Sequence, residues 1–177
     1  FFYLTTLKTK VLLKQYYMKE IRLRFMLHLY DWSSKIYATV FKWNKKAWGI
    51  RKEEFLNYPV GSIGHSLGLF YESKGFEVMP KLENHDVFHI LTETGTEIQD
   101  EIAMQYLLLG NGKISLYLFG MVLIGGILFP EYFSHYKKNF QKGRTLQRFH
   151  HLEFKDMLTL QLTELQIALY SKNIQIN

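Results

Sequence analysis

HDVFHILTETGTEIQDEIAMQYLLL, residues 85–109, is the stretch that decides how this chain folds. His85 and His89 stand four apart, so on a helix both rings leave one face about one turn from each other, a spacing that grips a single metal ion. Asp86 stands three before His89 and borders the same face. The pair alone says little, because the chain holds seven histidines and such a spacing arises by accident. Glu101 adds the argument. On one unbroken helix it would lie ~18 Å beyond His89. Gly95, however, readily takes the left-handed conformation that ends a helix. Thr96-Glu97-Ile98-Gln99 then reads as a capping box that starts a second helix, running to about Leu109. Folded back on the first helix, the second carries Glu101 to the histidine pair. Ile98, Ile102, Met104 and Leu108 flank Glu101, and a carboxylate buried among them needs a partner. Two partners are open: a cation shared with the histidines, or a basic residue from the first sixty with Glu101 half-exposed.

Upstream, Tyr58-Pro59-Val60-Gly61 reads as a turn, and Ile63, Leu67, Phe70 and Tyr71 then fall on one helical face that ends near Gly75. Asn84 is a good N-cap for a short helix over about 85–93. Downstream, Gly110-Asn111-Gly112 is a turn, 114–129 is an apolar helix, and Pro130 suits the first position of the next, which Gly143 closes. Residues 152–170 are amphipathic, with Phe154, Leu158, Leu162 and Leu165 at compatible spacing. Ahead of all this, 7–30 and 32–48 read as two basic, aromatic-rich helices without a clean two-faced pattern. With three prolines and little apolar/polar alternation, the expected fold is all-α: a single-domain helical bundle with a helix-turn-helix metal site. Residues 1–57 form a basic helical arm and residues 58–177 the helical domain.

Length and composition agree with one globular domain: 177 residues, 47% apolar and 21% charged. The absence of cysteine excludes disulfides and thiolate sites, so a metal must take His, Asp, Glu or backbone oxygen. Two imidazoles with one or two carboxylates suit Zn2+, and Mn2+ or Fe2+ would accept the same set. A catalytic ion keeps an open position for water or substrate, whereas four filled protein ligands point to a structural role. Residues 1–60 hold twelve Lys/Arg against four Asp/Glu, and residues 61–177 hold ten against twelve. A basic arm interleaved with Tyr16, Tyr17, Phe25, Trp32 and Trp43, with no nucleic-acid motif, favours an anionic lipid surface over nucleic acid. The apolar run 114–130, at 17 residues, sits at the lower edge of the ~17–25 that cross a bilayer and reads better as a core helix. His28, His65, His135, His150 and His151 lack spaced partners and read as non-ligands.

His85-Asp86-Val87-Phe88-His89 followed by Glu101 resembles the motif of the coenzyme Q (ubiquinone) biosynthesis protein 4 family, HDxxH, eleven residues, then E. Tyr58-Pro59, Gly61-Ser62, Gly64, Leu91-Thr92, Gly95-Thr96 and Gly143-Arg144 extend the resemblance over about 58–169. It implies an all-helical protein, peripheral on a membrane, that binds zinc through His85, Asp86, His89 and Glu101 and acts on polyprenylated quinone precursors. Removal of the ring carboxylate with hydroxylation at that carbon, or a scaffolding role among other quinone-biosynthesis enzymes, is the implied activity, and a homodimer the implied assembly. The implied location is the cytoplasmic face of a membrane, with room for a trimmed organellar targeting segment ahead of Phe1. An isoprenoid tail needs an apolar groove, for which Leu118, Met121, Val122 and Leu128 are the candidate lining. The chain departs from the family at Glu93 and Asp100, where small residues are usual, so either carboxylate could join or disturb the ligand set.

Overall fold

The structure, a computed structural model, describes residues 2–36 and 46–171. Its elements are helices α1 (Phe2–Ile36), α2 (Lys52–Phe55), α3 (Ile63–Lys74), α4 (Glu83–Thr92), α5 (Ile98–Gly110), α6 (Leu116–Leu128), α7 (Phe133–Thr145) and α8 (Leu162–Tyr170), with short 3-10 turns at Pro130–Tyr132 and Phe154–Met157. The all-α, single-domain expectation holds, and no strand occurs among the described residues. Helix α5 is apolar nearly all round because it is buried on both sides. Met104, Leu107 and Leu108 face a core shared with Phe55, Leu67, Phe88, Phe149 and Phe154. Ile98, Ile102 and Ala103 face a second cluster with Met26, Met121, Phe129 and Tyr136.

Several boundaries differ from expectation for local reasons. A single helix runs from residue 2 to 36 where two were expected. Of the second, residues 37–45 and Trp43 lie outside the described residues, as does the side chain of Trp32, and 46–51 are not helical. Asn84 does not cap α4. It lies inside the helix, where its side chain donates to Glu153 and accepts from the Phe154 amide. The helix ends at Glu93, not at Gly95, because Glu93 itself takes the left-handed conformation at φ 53°. Thr96 caps nothing, since Glu97 is the N-cap of α5 and offers no side-chain cap. Gly143 does not end α7, which continues to Thr145. A Cβ there would run into the Leu107 carbonyl, and one on Gly110 into the Phe140 carbonyl, so the two glycines mark the closest crossing of α5 and α7. The amphipathic tail is a 3-10 turn followed by α8 rather than one helix.

The first fifty-seven residues join the body in two ways. Met26 is fully buried and Arg22 reaches across to the Leu128 carbonyl at 2.8 Å and to Glu131 at 2.8 Å. Trp48 and Phe55 lie in the main core, and the Trp48 amide donates to the buried Glu83 carboxylate at 2.9 Å. Helix α6 presents one packed face, Leu118, Met121 and Gly125, and leaves Leu116, Phe119, Leu123 and Ile127 exposed. No single helix is long and apolar enough to cross a membrane among the described residues.

Candidate metal centre

Helix α4 sets the two imidazoles side by side, ring centroids 4.9 Å apart and nearly perpendicular. The turn at Glu93–Glu97 reverses the chain so that the first turn of α5 brings Glu101 under them. His85 Nε2 lies 3.4 Å from one Glu101 oxygen and His89 Nε2 lies 3.1 Å from the other. One ligand atom from each of His85, His89 and Glu101 falls within 4.8 Å of the other two. Two donors each ~2.1 Å from a tetrahedral ion stand ~3.4 Å apart, and separations of that order to the two oxygens of one carboxylate leave room for a single small divalent ion. Glu101 is not half-exposed: the carboxylate is 8% exposed and flanked by both histidines.

The hydrogen bonds around the cluster supply an independent test of fit. His89 Nδ1 meets the Thr94 carbonyl at 3.1 Å, and a carbonyl can only accept, so this nitrogen carries the hydrogen. In the neutral ring the Nε2 lone pair then points at a carboxylate oxygen 3.1 Å away. Two acceptors face each other there unless a cation lies between them. A proton or a divalent ion resolves the opposition, and orientation of a ligand histidine by a backbone carbonyl is the usual second support of a metal site. Phe70 stacks on the same ring at 5.7 Å between centroids and holds its plane.

Asp86 stands apart from the three converging ligand atoms. One of its oxygens accepts from the buried Tyr71 hydroxyl at 2.8 Å and the other lies 3.5 Å from His85 Nδ1. The result is a chain, Tyr71 to Asp86 to His85 to Glu101, in which the carboxylate of Asp86 orients the histidine. Burial pushes the His85 imidazolium down, but the Glu101 and Asp86 carboxylates outweigh it and raise its pKa to about 9. Burial likewise pushes Glu101 up, and the two histidines outweigh it and bring it down to about 2. Tyr71, buried and facing Asp86, is raised well above the ordinary phenol range.

Tyr71, the Thr94 carbonyl and Phe70 were not foreseen as parts of a site. Tyr71 and Phe70 carry the same helical spacing as the core residues Ile63 and Leu67, and nothing in a sequence tells a core tyrosine from one aimed at an aspartate fifteen residues on. The two departures from the family pattern take no part in the cluster. Glu93 forms the left-handed end of α4, and Asp100 meets His135 Nε2 at 3.0 Å on the α7 side.

The cluster lines a cavity of about 420 Å3, within the ~300–1,000 Å3 of ordinary small-molecule sites. Apart from His85, His89 and Glu101, and from Asp86, Tyr71, Glu77 and Thr96, its walls are largely apolar: Leu27 from α1, Phe70, Phe76, Met79, Leu82 and Ile98. The residues expected to line a lipid groove lie elsewhere. Leu118 and Met121 are buried in the two cores and Val122 and Leu128 pack against them, so none of the four borders this cavity.

Neither a family model nor a curated protein sequence matches the chain. Among solved structures, a Nostoc punctiforme protein provisionally named a ubiquinone biosynthesis protein superposes with a TM-score of 0.60 at 14% identity, covering 88% of this chain and 82% of that one. An overlay of that extent takes in part of residues 1–57 together with the domain that follows. At that identity the likeness establishes a shared fold.

Proposed function

We propose that this chain is a metalloprotein of the membrane surface, on the cytoplasmic face, that binds a prenylated quinone precursor and supports removal of its ring carboxylate. The observation that carries this reading is the placement of the His85, His89 and Glu101 donors in the wall of an otherwise apolar cavity. A divalent ion held by those three, Zn2+ or else Mn2+ or Fe2+, would act as a Lewis acid on an oxygen of the substrate. The protein does the rest. Asp86, fixed by Tyr71, keeps the His85 ring turned to the site, and the Thr94 carbonyl does the same for His89. Phe70 and Ile98 exclude water from the ring, and the partly exposed Leu27, Phe76 and Met79 extend an apolar path for an isoprenoid tail. The ring carboxylate leaves as carbon dioxide and a proton takes its place at the ring carbon; replacement by hydroxyl instead requires dioxygen and a two-electron reductant, one oxygen atom entering the ring and the other leaving as water.

The resemblance in the HDxxH and Glu101 motif and the shared fold support the quinone assignment. Purified metal-loaded protein with a carboxylated prenyl-ring precursor and dioxygen should release carbon dioxide, and Glu101→Gln should abolish the release. A second reading follows from the burial of His89 and Glu101 at 3% and 8% exposure on two different helices. There the metal clamps α4 to α5, the cavity carries the lipid, and partner enzymes of the pathway, or a second subunit, complete the work. Absence of carbon dioxide release under every metal and oxidant, together with a prenylated quinone in the lipid extract of the protein, selects this scaffold reading. Absence of both contradicts the quinone assignment.

A further inference from the structure

Helix α6 contains no charged residue from Leu116 to Leu128, and its outward side chains Leu116, Phe119, Leu123 and Ile127 are 80%, 46%, 64% and 69% exposed. At offsets of 0, 3, 7 and 11 they form one stripe along the helix. The opposite face is fully used in packing, with Ile102 of α5 seated against Gly125, so the exposed stripe is not an edge of the core left uncovered by loose fit. Beyond the ends of the helix the apolar surface continues through Ile114 and Phe133, 78% and 58% exposed.

Helix α1 is fastened to the C-terminal end of that stripe. Arg22 bonds to the Leu128 carbonyl, one residue past Ile127, Lys19 donates to the Tyr132 hydroxyl at 3.2 Å, and Met26 enters the core cluster that contains Met121. N-terminal to this anchor, Leu12, Leu13, Tyr16 and Tyr17 are all more than 60% exposed and interleave with the exposed Lys10 and Lys14. On a helix these four apolar side chains fall within one arc of about 140°, and Lys10 and Lys14 border it. A bilayer interface suits an aromatic, apolar arc bordered by lysines, because lysine stems lie along apolar surface while their ammonium groups reach anionic phosphates, and tyrosine sits at headgroup depth.

We infer that the outer face of α6 inserts into the apolar layer of a membrane whose anionic headgroups are held by the basic, aromatic N-terminal half of α1. This rests on the reading of the chain as a protein of the membrane surface, and it names the elements that make the contact. It also gives α1 a double place, since Leu27 of the same helix walls the metal cavity. A prenylated ligand would then pass between bilayer and cavity along α1.

The test is sedimentation of the full chain with vesicles of phosphatidylcholine and phosphatidylglycerol that contain no quinone, comparing wild type with Leu123→Glu/Ile127→Glu. Both positions are exposed, so helicity and zinc binding should be unchanged in the variant. Vesicle partitioning should fall by about tenfold or more, the effect of withdrawing two large apolar side chains from hydrocarbon. Lys10→Gln/Lys14→Gln should weaken binding to anionic vesicles alone, and added salt should erase the difference. Equal partitioning of wild type and the glutamate variant would overturn the inference. So would a wild type that ignores vesicles, or a variant that changes only from dimer to monomer, which would make the stripe a contact between copies of the chain. Because the vesicles hold no quinone, failure of the quinone reading leaves this result untouched, and failure here leaves the metal centre standing.

Discussion

His89 carries the most informative pair of contacts in the molecule, a carbonyl at one ring nitrogen and a carboxylate at the other. The HxxxH spacing and the later glutamate were legible in the sequence because a helix fixes where i and i+4 point. The supports were not, because they arise from tertiary contact: Tyr71 reaches Asp86 only once α3 lies on α4. Removing that support gives a clean prediction. Tyr71→Phe keeps the buried ring and loses the hydroxyl, and zinc affinity measured by competitive chelation should fall by about 10–100-fold with the circular dichroism spectrum unchanged. Acidity supplies a second. In the metal-free protein His85 is raised to about 9, so its contribution to stability is full below its unfolded value near 6.5 and is lost as pH rises through 9. Glu101, depressed to about 2, contributes fully above its unfolded value near 4.5 and loses that contribution as pH falls through 2. Metal-free Tm should therefore pass its best near pH 4.5–6.5 as far as this cluster decides it and decline toward pH 9. Zinc must displace the His85 proton, so zinc affinity should rise over the same alkaline range, with about one proton released per ion at pH 8. Zinc affinity flat between pH 6 and 9 would contradict the arrangement.

At the scale of the element, glycine and asparagine show where sequence reasoning stops. Gly143 was expected to end a helix because glycine tolerates the left-handed turn. Here it is a passage for another helix, and the left-handed turn expected of Gly95 is made by Glu93. A helix end and a close helix crossing both exploit the missing Cβ of glycine, and only the packing distinguishes them. Thr96 likewise has the sequence of a cap and borders the cavity instead. The long apolar and amphipathic segments were legible because hydrophobic period survives any tertiary arrangement: α3, α5, α6 and the α5–α6 turn all appear where the spacing places them. Gly143→Ala forces a methyl group onto the backbone carbonyl of Leu107, which no side-chain rotation relieves. It should destabilise the protein by about 2–3 kcal/mol in urea unfolding, against the gain of about 0.8–1 kcal/mol from an alanine where a helix is unobstructed. Equal or higher stability would show that α5 and α7 do not cross there.

The whole molecule reads as a helical body built round α5, with a metal cluster on one flank, an apolar cavity over it, and a long basic helix that closes one wall of that cavity before running outward. All-α architecture and the helix-turn-helix were readable from 177 residues. The joining of the first fifty-seven residues to the core through Met26, Trp48 and Phe55 was not, since no period connects them to their partners. The central claim is that His85, His89 and Glu101 close on one divalent ion. Calorimetric titration of Zn2+ into chelator-stripped protein tests it most directly, comparing wild type with Glu101→Gln, which keeps size and removes the charge. The wild type should bind one ion per chain, and the variant should bind it at least about a hundredfold more weakly. The same stoichiometry and affinity in both proteins, or no binding to the wild type, would contradict it.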